Sequence, residues 1–578
     1  MKTILTTLII QLLIISSSIF SQEKKDINWP EDLEYMRGYL EIIHPALYTY
    51  ISQEEFNREI DYLKNHSDSL DDAEITVRIV ELFAKIQDGH TGVNFTGGYK
   101  PGEDYIAGLF HYYPLSLYKF SDGIFVLWAT NQYRDIVGRK ILKIGPMDID
   151  DAVEQIIRFN NGDNEMGRVQ RISLIQEFLQ YAGLMEKGSD KLSLTYEKEN
   201  GGLDSLVIDN PLSVSEFLAC FPRKLFPQKD SLVISMNDSC PRPLPLYLSH
   251  LDRGGFSGEN YWYQYLPDQQ TMYLSLSLNV DNPDNPFDAF CERLFNDIDS
   301  LRAKKLIIDV RLNGGGNHIE LPLLKGIIGR PEIDRKGNLF LITSRRTISA
   351  SEHLTSQLER YTNVTIFGEP TAARPNMVGS LTHFKLPHSG LKCFCAKNYI
   401  QDSDDWDGRL STKPHVYALL SSDDYRNNLD PVLERIFIYD SIKLGTERLH
   451  GAMEKGYLEG GMPGLQDAYR QHKTVCGELG LNFEIYLLDN FSWWIWSNRK
   501  EKNDYAAYQK FIADEFPQST MANYFYARSC QIRDMNDEAV EYYERSLAIN
   551  PGNIYAGKYL ALLKFHESQN SGIKNYGQ

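Results

Sequence analysis

The sequence has few cysteines, a deficit of positive charge and almost no long apolar runs. Seven cysteines are scattered along 578 residues without a Cys-x-x-Cys pair, which argues against zinc-ribbon and thiol-redox sites. The net charge is −18, from 60 Lys and Arg against 78 Asp and Glu. Because Lys and Arg supply the affinity for phosphate backbones, we expect no nucleic-acid partner.

The one long apolar run lies at the beginning of the chain. Lys2 precedes apolar residues 4–15, and small residues at 16–18 and 21 follow them. This pattern is typical of a secretory signal peptide, and the run is too short to span a bilayer comfortably. We therefore predict that residues 1–21 are a signal peptide and that the protein is exported to the periplasm or beyond without spanning the membrane.

A chain of 578 residues is too long for one hydrophobic core. After the signal peptide we predict a helical region at 22–95, a β-rich insertion at 96–258, an α/β core at 259–440 and helices at 441–578. Residues 523–553 resemble one tetratricopeptide unit, with Ala527, Ala539 and Tyr543 in its small and aromatic positions. A helical module of this kind favours contact with a protein partner.

The predicted core alternates strands with helices. Apolar runs at 306–310, 339–343 and 364–367 read as buried strands, and helical stripes occupy 287–301 and the segment after residue 349. Such alternation predicts a mainly parallel sheet that helices cover on both faces. Sites in such sheets form beyond the carboxyl ends of the strands.

Ser349 lies at one of these strand ends, at the start of a helix. A serine there can be a nucleophile, since the helix N-terminus offers unpaired N–H groups to a developing oxyanion. It can equally be an N-cap that satisfies the first helical turn. A second strand end leads into Gly314, Gly315 and Gly316, whose N–H groups could line an oxyanion site. A phosphate loop is the alternative, but neither G-x-G-x-x-G nor the Walker pattern is present.

A histidine turn, Asp88-Gly89-His90-Thr91, follows a predicted helix. We expect Gly89 to take the left-handed C-cap conformation of that helix. Histidine is the usual general base at neutral pH, although a lone histidine is often a surface residue.

Together these segments resemble the tail-specific, or C-terminal-processing, serine peptidase family. The matching motifs are Asp309-x-Arg311-x-Asn313-x-Gly315-Gly316, Thr347-x-Ser349-Ala350-x-Glu352 and Gly368-Glu369-Pro370-Thr371, within a resemblance that covers residues 90–436. The resemblance implies that Ser349 is the nucleophile and that Ala350, with Gly315 or Gly316, donates to the oxyanion. It also implies a PDZ-like module within 96–258 that would bind an extended peptide by strand addition.

One position departs from the family pattern. Many members carry a Lys base 25 residues after the nucleophile, where this chain has Arg374, and arginine does not lose its proton at usable pH. Either the protein is inactive or its base lies elsewhere. The tricorn-like branch of the family pairs serine with histidine, which implies His90 as the base. Candidates for the acid that orients it are Asp402, Asp404, Asp405, Asp407 and Glu369.

We therefore expect an exported serine endopeptidase that cleaves peptides or proteins through an acyl-enzyme, without metal or other cofactor. The alternatives are a catalytically silent protein that binds peptides or apolar ligands, and an esterase or amidase that uses the same Ser–His pair.

Overall fold

The computed structural model describes residues 26–575 except 102, 171, 221–232, 250–258 and 502. The predicted signal peptide, residues 1–21, lies outside this range. No helix in the described part of the chain combines the length and the apolar character needed to cross a membrane. All seven cysteines are free thiols.

Three helices open the described chain: α1 (Trp29–Ile43), α2 (Gln53–His66) and α3 (Asp72–Lys85). Each begins at a polar residue, Asn28, Ser52 or Asp71, whose side chain accepts a backbone N–H of the first turn. The predicted C-cap at Gly89 is wrong. Helix α3 ends at Lys85, and Gln87 takes the positive φ of 55°.

The next region is β-rich with short helices. Its antiparallel sheets have the strand orders β10-β4-β3, β6-β5-β7-β8 and β2-β9. The elements are β1 (Gly92–Val93), β2 (His111–Tyr112), β3 (Leu115–Phe120), β4 (Gly123–Thr130), β5 (Ile141–Ile144), β6 (Met147–Asp148), α4 (Ile149–Ile157), α5 (Glu165–Val169), α6 (Gln176–Tyr181), β7 (Leu192–Glu197), β8 (Leu203–Ile208), β9 (Leu212–Ser213), α7 (Val214–Cys220) and β10 (Val233–Ser235), with 3₁₀ turns at Ala107–Leu109, Asn131–Ile136 and Leu246–Leu248.

A mostly parallel sheet forms the core, which confirms the predicted α/β arrangement. Its strand order is β11-β12-β13-β14-β15-β20, and only the β11–β12 pair is antiparallel. The elements are β11 (Tyr261–Leu266), the 3₁₀ turn Pro267–Gln269, β12 (Thr271–Leu276), α8 (Phe287–Leu301), β13 (Lys305–Asp309), α9 (Leu321–Ile328), β14 (Leu339–Thr343), α10 (Ala350–Tyr361), β15 (Thr365–Gly368), β16 (Asn376–Gly379), β17 (Thr382–Lys385), β18 (Lys392–Cys395), β19 (Asn398–Gln401), β20 (Val416–Tyr417), α11 (Ser422–Arg426) and α12 (Pro431–Phe437).

Alternate side chains of each core strand enter opposite apolar layers. On β13, Leu306 and Ile308 pack with helices α8 to α10, whereas Ile307 packs with α12 and the helix that follows it. All three side chains are fully buried. This two-sided burial explains why the strand reads as a continuous apolar run, and it places the loops after β13 and β14 at the same edge of the sheet.

Helices fill the rest of the described chain: α13 (Tyr439–Glu478), α14 (Phe483–Ile485), the π-helix Tyr486–Phe491, α15 (Ser492–Asn498), α16 (Asp504–Glu515), α17 (Thr520–Gln531), α18 (Asn536–Ile549) and α19 (Ile554–Asn575). Helix α13 breaks at Gly461, where φ is 63° and ψ is −151°. Helices α17 and α18 pack as a pair around buried Ala527, Ala539 and Tyr543, and the tetratricopeptide-like assignment remains a prediction.

The C-terminal helices contact both earlier regions. Asn550, which ends α18, donates from Nδ2 to the carbonyl of Gly408 at 2.7 Å. Its Oδ1 accepts from the hydroxyl of Tyr50, between α1 and α2, at 2.9 Å. One asparagine thus joins the C-terminal helices to the core and to the N-terminal helices.

Candidate functional site

Ser349 begins α10 in a conformation that serine rarely adopts. Its φ is 62° and its ψ is −127°, and its side chain makes no hydrogen bond to the first turn. The capping role is therefore not filled by this hydroxyl. Backbone strain of this kind costs about 1–3 kcal/mol and is found at functional sites. Ser349 combines such strain with a hydroxyl that is not engaged in capping.

Neighbouring hydroxyls fix the turn that carries Ser349. Thr347 Oγ1 donates to the carbonyl of Val310 at 3.0 Å and accepts from the N–H of Ser344 at 3.0 Å. Ser351 Oγ accepts from the N–H of Ile348 at 3.0 Å. These bonds anchor the turn to the end of β13 and to its own helix, so the position of Ser349 is set by residues on both sides.

The glycine loop after β13 packs directly against Ser349. A Cβ on Gly315 would lie 2.6 Å from the Cβ of Ser349 and 3.1 Å from its Oγ, and Gly315 has a φ of 101°. A Cβ on Gly316, whose φ is 135°, would lie 2.3 Å from the carbonyl oxygen of Asn279. Only glycine fits at both positions, because both the left-handed backbone and the close approach exclude a side chain.

The structure distinguishes the predicted oxyanion donors. The N–H of Gly315 donates to Asn313 Oδ1 at 2.8 Å. Asn313 is itself held by Nδ2 bonds to Leu276 O at 2.9 Å and Asn279 Oδ1 at 2.6 Å. Within the described residues, no hydrogen bond engages the N–H groups of Gly316 and Ala350. Of the three predicted donors, Gly316 and Ala350 are therefore the two whose N–H groups are not engaged.

The histidine turn lies against the turn that carries Ser349. A Cβ on Gly89 would lie 2.7 Å from Ile348 Cδ1, so the residues that precede His90 and Ser349 are in contact. His90 is 5% exposed, and its N–H donates to Asp88 Oδ1 at 2.5 Å. No hydrogen bond joins the His90 and Ser349 side chains among the described contacts. Such bonds are often long in unliganded enzymes and shorten with substrate.

The imidazole of His90 has a buried Nδ1 without a hydrogen-bond partner in the described structure. Nearby, Asp88 Oδ2 accepts from Nε2 of the buried His44 at 2.8 Å. His90 Nε2 lies 3.8 Å from the position that a Cβ on Gly379 would take, so strand β16 covers the ring. The ring is enclosed by protein, but no acid orients its Nδ1.

The five acids predicted for that role bind other partners. Asp404 and Asp407 pair with Arg360 and Arg409, Glu369 pairs with the buried Arg345, and Asp405 accepts from the hydroxyl of Tyr555. Asp402 does bind a histidine, but it is His353 on α10, at 2.6 Å from Nδ1. None of their described hydrogen bonds reaches His90.

Arg374, which the sequence analysis singled out, holds the histidine turn. Its Nη1 donates to the carbonyl of Gln87 at 3.0 Å, its Nη2 donates to the carbonyl of Asp163, and its guanidinium lies 4.1 Å from the ring centroid of Tyr50. The guanidinium thus makes two hydrogen bonds to backbone carbonyls and stacks on the Tyr50 ring. These contacts support the backbone beside His90.

Asp163 completes this arrangement. Its Oδ1 accepts from the N–H of Gly89 at 2.6 Å, and its Oδ2 accepts from the N–H of Arg374 at 3.1 Å. Burial raises the pKa of this carboxyl, while the charges of Arg374 and His90 partly offset the rise. Sequence reasoning missed Asp163, because its only local signal is a polar Asn-Asn-Gly-Asp-Asn loop, which is typical of any turn.

Glu352, one turn after Ser349 on α10, is fully buried. Its Oε1 accepts from Thr412 Oγ1 at 2.6 Å. Burial raises the pKa of Glu352 to about 8, although hydrogen bonds from Thr412 and Thr371 act in the opposite direction. A carboxyl with this pKa is mostly protonated, and therefore neutral, at neutral pH.

No protein-family model matches the chain, and no curated protein matches it. Among solved structures, the chain is similar to mature CPAF complexed with lactacystin (10% identity, TM-score 0.46, 71% of this chain and 98% of that chain). It is also similar to the photosystem II D1 C-terminal processing protease (13% identity, TM-score 0.32, 71% of this chain and 96% of that chain). A third similar structure is that of the tricorn protease (14% identity, TM-score 0.29, 71% of this chain and 36% of that chain). At such TM-scores these similarities do not assign the chain a family or an activity.

Replacing Glu352 should change how stability depends on pH. The folded protein keeps the Glu352 proton up to a pKa of about 8, whereas the ordinary value is 4.5. Between these values the unfolded chain releases a proton that the folded chain retains. As the pH rises through this range, the free energy of unfolding of the wild type should therefore fall relative to that of Glu352→Gln, by up to about 1.4 kcal/mol per pH unit. Urea unfolding at pH 5, 6.5 and 8 measures this difference.

Glu359→Gln, on the same helix, is the matched control. Burial raises the pKa of Glu359, but Arg409 outweighs it and the net pKa is lowered. Its stability difference from wild type should therefore be constant over the same pH range. A constant difference for Glu352→Gln as well would contradict the buried neutral carboxyl.

Proposed function

We propose that this protein is a serine endopeptidase, with Ser349 as the nucleophile and His90 as the general base. The observation that supports it is the strained, uncapped Ser349 lying against a glycine loop whose Gly316 N–H, like that of Ala350, is not engaged. Attack by the Ser349 hydroxyl on a carbonyl creates an oxyanion, and two backbone donors of this kind are what such an oxyanion needs.

The proton path follows from the histidine turn. His90 would take the proton from Ser349 as the acyl-enzyme forms and return it to the leaving amine. Positioned proton transfer contributes about 10²–10⁴-fold, and one oxyanion donor about 10²–10³-fold. No acid among the described residues binds Nδ1 of His90. The ring would therefore be oriented by its enclosure between the histidine turn and β16.

We also propose roles for the regions outside the candidate site. The signal peptide would export the enzyme to the periplasm or beyond, the β-rich region would hold an extended peptide as a PDZ-like module does, and the C-terminal helices would bind a protein partner. Arg374 would act by fixing the histidine turn, so the base would belong to a Ser–His pair and not to a Ser–Lys pair.

A fluorophosphonate probe tests the nucleophile and the base together. Wild type should gain the mass of one probe, Ser349→Ala should gain none, and His90→Ala should react about 10²–10⁴-fold more slowly. Cleavage of an unfolded protein substrate should fall by about 10⁶-fold in Ser349→Ala. His383→Ala is the control, because His383 is exposed on β17. Folded wild type that resists the probe would support the silent binding protein, and esters cleaved without peptides would support the esterase.

Gly315 and Gly314 provide a matched pair for the oxyanion loop. Gly315→Ala should slow labelling of Ser349 by at least about 10²-fold, because the added Cβ would collide with the nucleophile and disturb the adjacent donor. Gly314→Ala should label at the wild-type rate, since nothing lies within 4 Å of its Cβ position. Equal rates for the two variants would show that this loop does not form the site.

Arg374→Lys separates the positioning role from a lysine base. A lysine cannot bind Gln87 and Asp163 at once while it stacks on Tyr50, so labelling should slow by about 10–100-fold through misplacement of His90. Arg360→Lys, at an exposed ion pair, should change nothing. Recovered labelling in the double variant His90→Ala/Arg374→Lys would mean that a lysine at this position can act as the base, and the positioning account would fail.

A further inference from the structure

Two histidines and a glutamate meet beside the nucleophile helix. His353 lies one turn after Ser349 on α10, and its N–H donates to the carbonyl of Ser349 at 3.0 Å. Its Nε2 lies 2.9 Å from Glu320 Oε1, and Nδ1 of His318 lies 3.8 Å from the same oxygen. Among the residues that the structure describes, this is the one group of three or more His, Cys, Asp or Glu residues whose potential ligand atoms all lie within 4.8 Å of one another.

We propose that His318, Glu320 and His353 bind a divalent transition-metal cation of the zinc class. Two imidazole nitrogens and one carboxylate oxygen are ligands that zinc commonly takes, with the remaining position left to water. Bond lengths of about 2.0–2.2 Å place tetrahedral ligand atoms about 3.4 Å apart. The two distances from Glu320 Oε1, 2.9 Å to His353 Nε2 and 3.8 Å to His318 Nδ1, lie on both sides of this value. Small side-chain rotations would therefore complete the geometry.

Asp402 provides the outer support that such a site needs. Its Oδ1 lies 2.6 Å from Nδ1 of His353, on the opposite side of the ring from Glu320. Metal-binding histidines almost always donate their second ring N–H to a carboxylate or carbonyl, which fixes the tautomer and the ring orientation. The acid that the sequence offered as a partner for His90 thus orients His353, with Nε2 directed at the proposed cation.

Two buried carboxylate oxygens lack partners at this place. Glu320 Oε2 and Asp402 Oδ2 have no hydrogen bond in the described structure, and both residues are 6% exposed. The Glu320 and Asp402 carboxyl groups lie on either side of the His353 ring, each within 2.9 Å of one of its nitrogens. Buried carboxylates need a charged or hydrogen-bonding partner, and a divalent cation at this place would supply one.

The proposed site joins two segments that carry the oxyanion donors. His318 and Glu320 continue the glycine loop after Gly316, whereas His353 belongs to the helix that begins at Ala350. His318 and His353 also line an open depression with Lys397 and Tyr399. A bound cation would hold the loop at a fixed distance from the helix while one coordination position faces solvent. This consequence for catalysis rests on the proposed peptidase function, whereas the binding itself does not.

The test is zinc binding to the untagged, full-length protein that carries Ser349→Ala, measured by isothermal titration calorimetry. Because this background has no nucleophile, the result does not depend on whether the protein is a peptidase. We expect one Zn²⁺ per chain, with micromolar or tighter affinity. His318→Ala, at a half-exposed side chain whose loss should leave the fold intact, and Glu320→Gln should each weaken binding by at least about 10-fold, and Asp402→Asn by about 10–100-fold.

His383→Ala is the control for loss of an exposed histidine, and it should bind Zn²⁺ as tightly as its Ser349→Ala parent. Mg²⁺ and Ca²⁺, which prefer oxygen ligands, should give no comparable binding. The proposal is overturned if the parent binds no Zn²⁺, if His318→Ala and Glu320→Gln leave its affinity unchanged, or if Mg²⁺ binds as well as Zn²⁺.

Discussion

The candidate site depends on one buried carboxylate, that of Asp163. It accepts hydrogen bonds from the N–H groups of Gly89 and Arg374, and so connects the histidine turn to the segment that follows Thr371. Burying this carboxyl group without hydrogen-bond partners would be costly, and the charge of the Arg374 side chain further favours its ionised form. The contact of Gly89 with Ile348 then brings the histidine turn to the turn that carries Ser349. The loop that carries Asp163 thus fixes the position of the histidine turn beside the turn of Ser349.

Arg374 shows what a guanidinium can do beside the candidate site. A lysine there would present one ammonium group, whereas the guanidinium donates in a plane to Gln87 and Asp163 and stacks on Tyr50. Arginine cannot remove a proton from serine, but it can bind the backbone that presents a histidine. The contacts of Arg374 therefore support the backbone on either side of the histidine turn.

Local patterns predicted the core well, whereas the contacts around the candidate site depend on the tertiary structure. The strand at residues 339–343 and the helix at 287–301 have the predicted bounds, because two-sided burial and helical periodicity are visible in short windows of sequence. The end of α3 at Lys85 was not predictable from Gly89, since that glycine serves a distant contact with Ile348. Likewise, only the tertiary structure shows that Asn313 engages Gly315 and that Asp402 binds His353. Such long-range pairs have no signature in local sequence.

Tyr50 lies between the guanidinium of Arg374 on one side and Asn550 at the end of α18 on the other. Tyr50 and Asn550 are 500 positions apart in the sequence. Contacts between residues so far apart form slowly, because the entropy of closing the intervening chain must be overcome first. The ring that stacks on Arg374 is therefore supported by the kind of contact that limits folding rates, which ties the order of the histidine turn to the packing of distant helices.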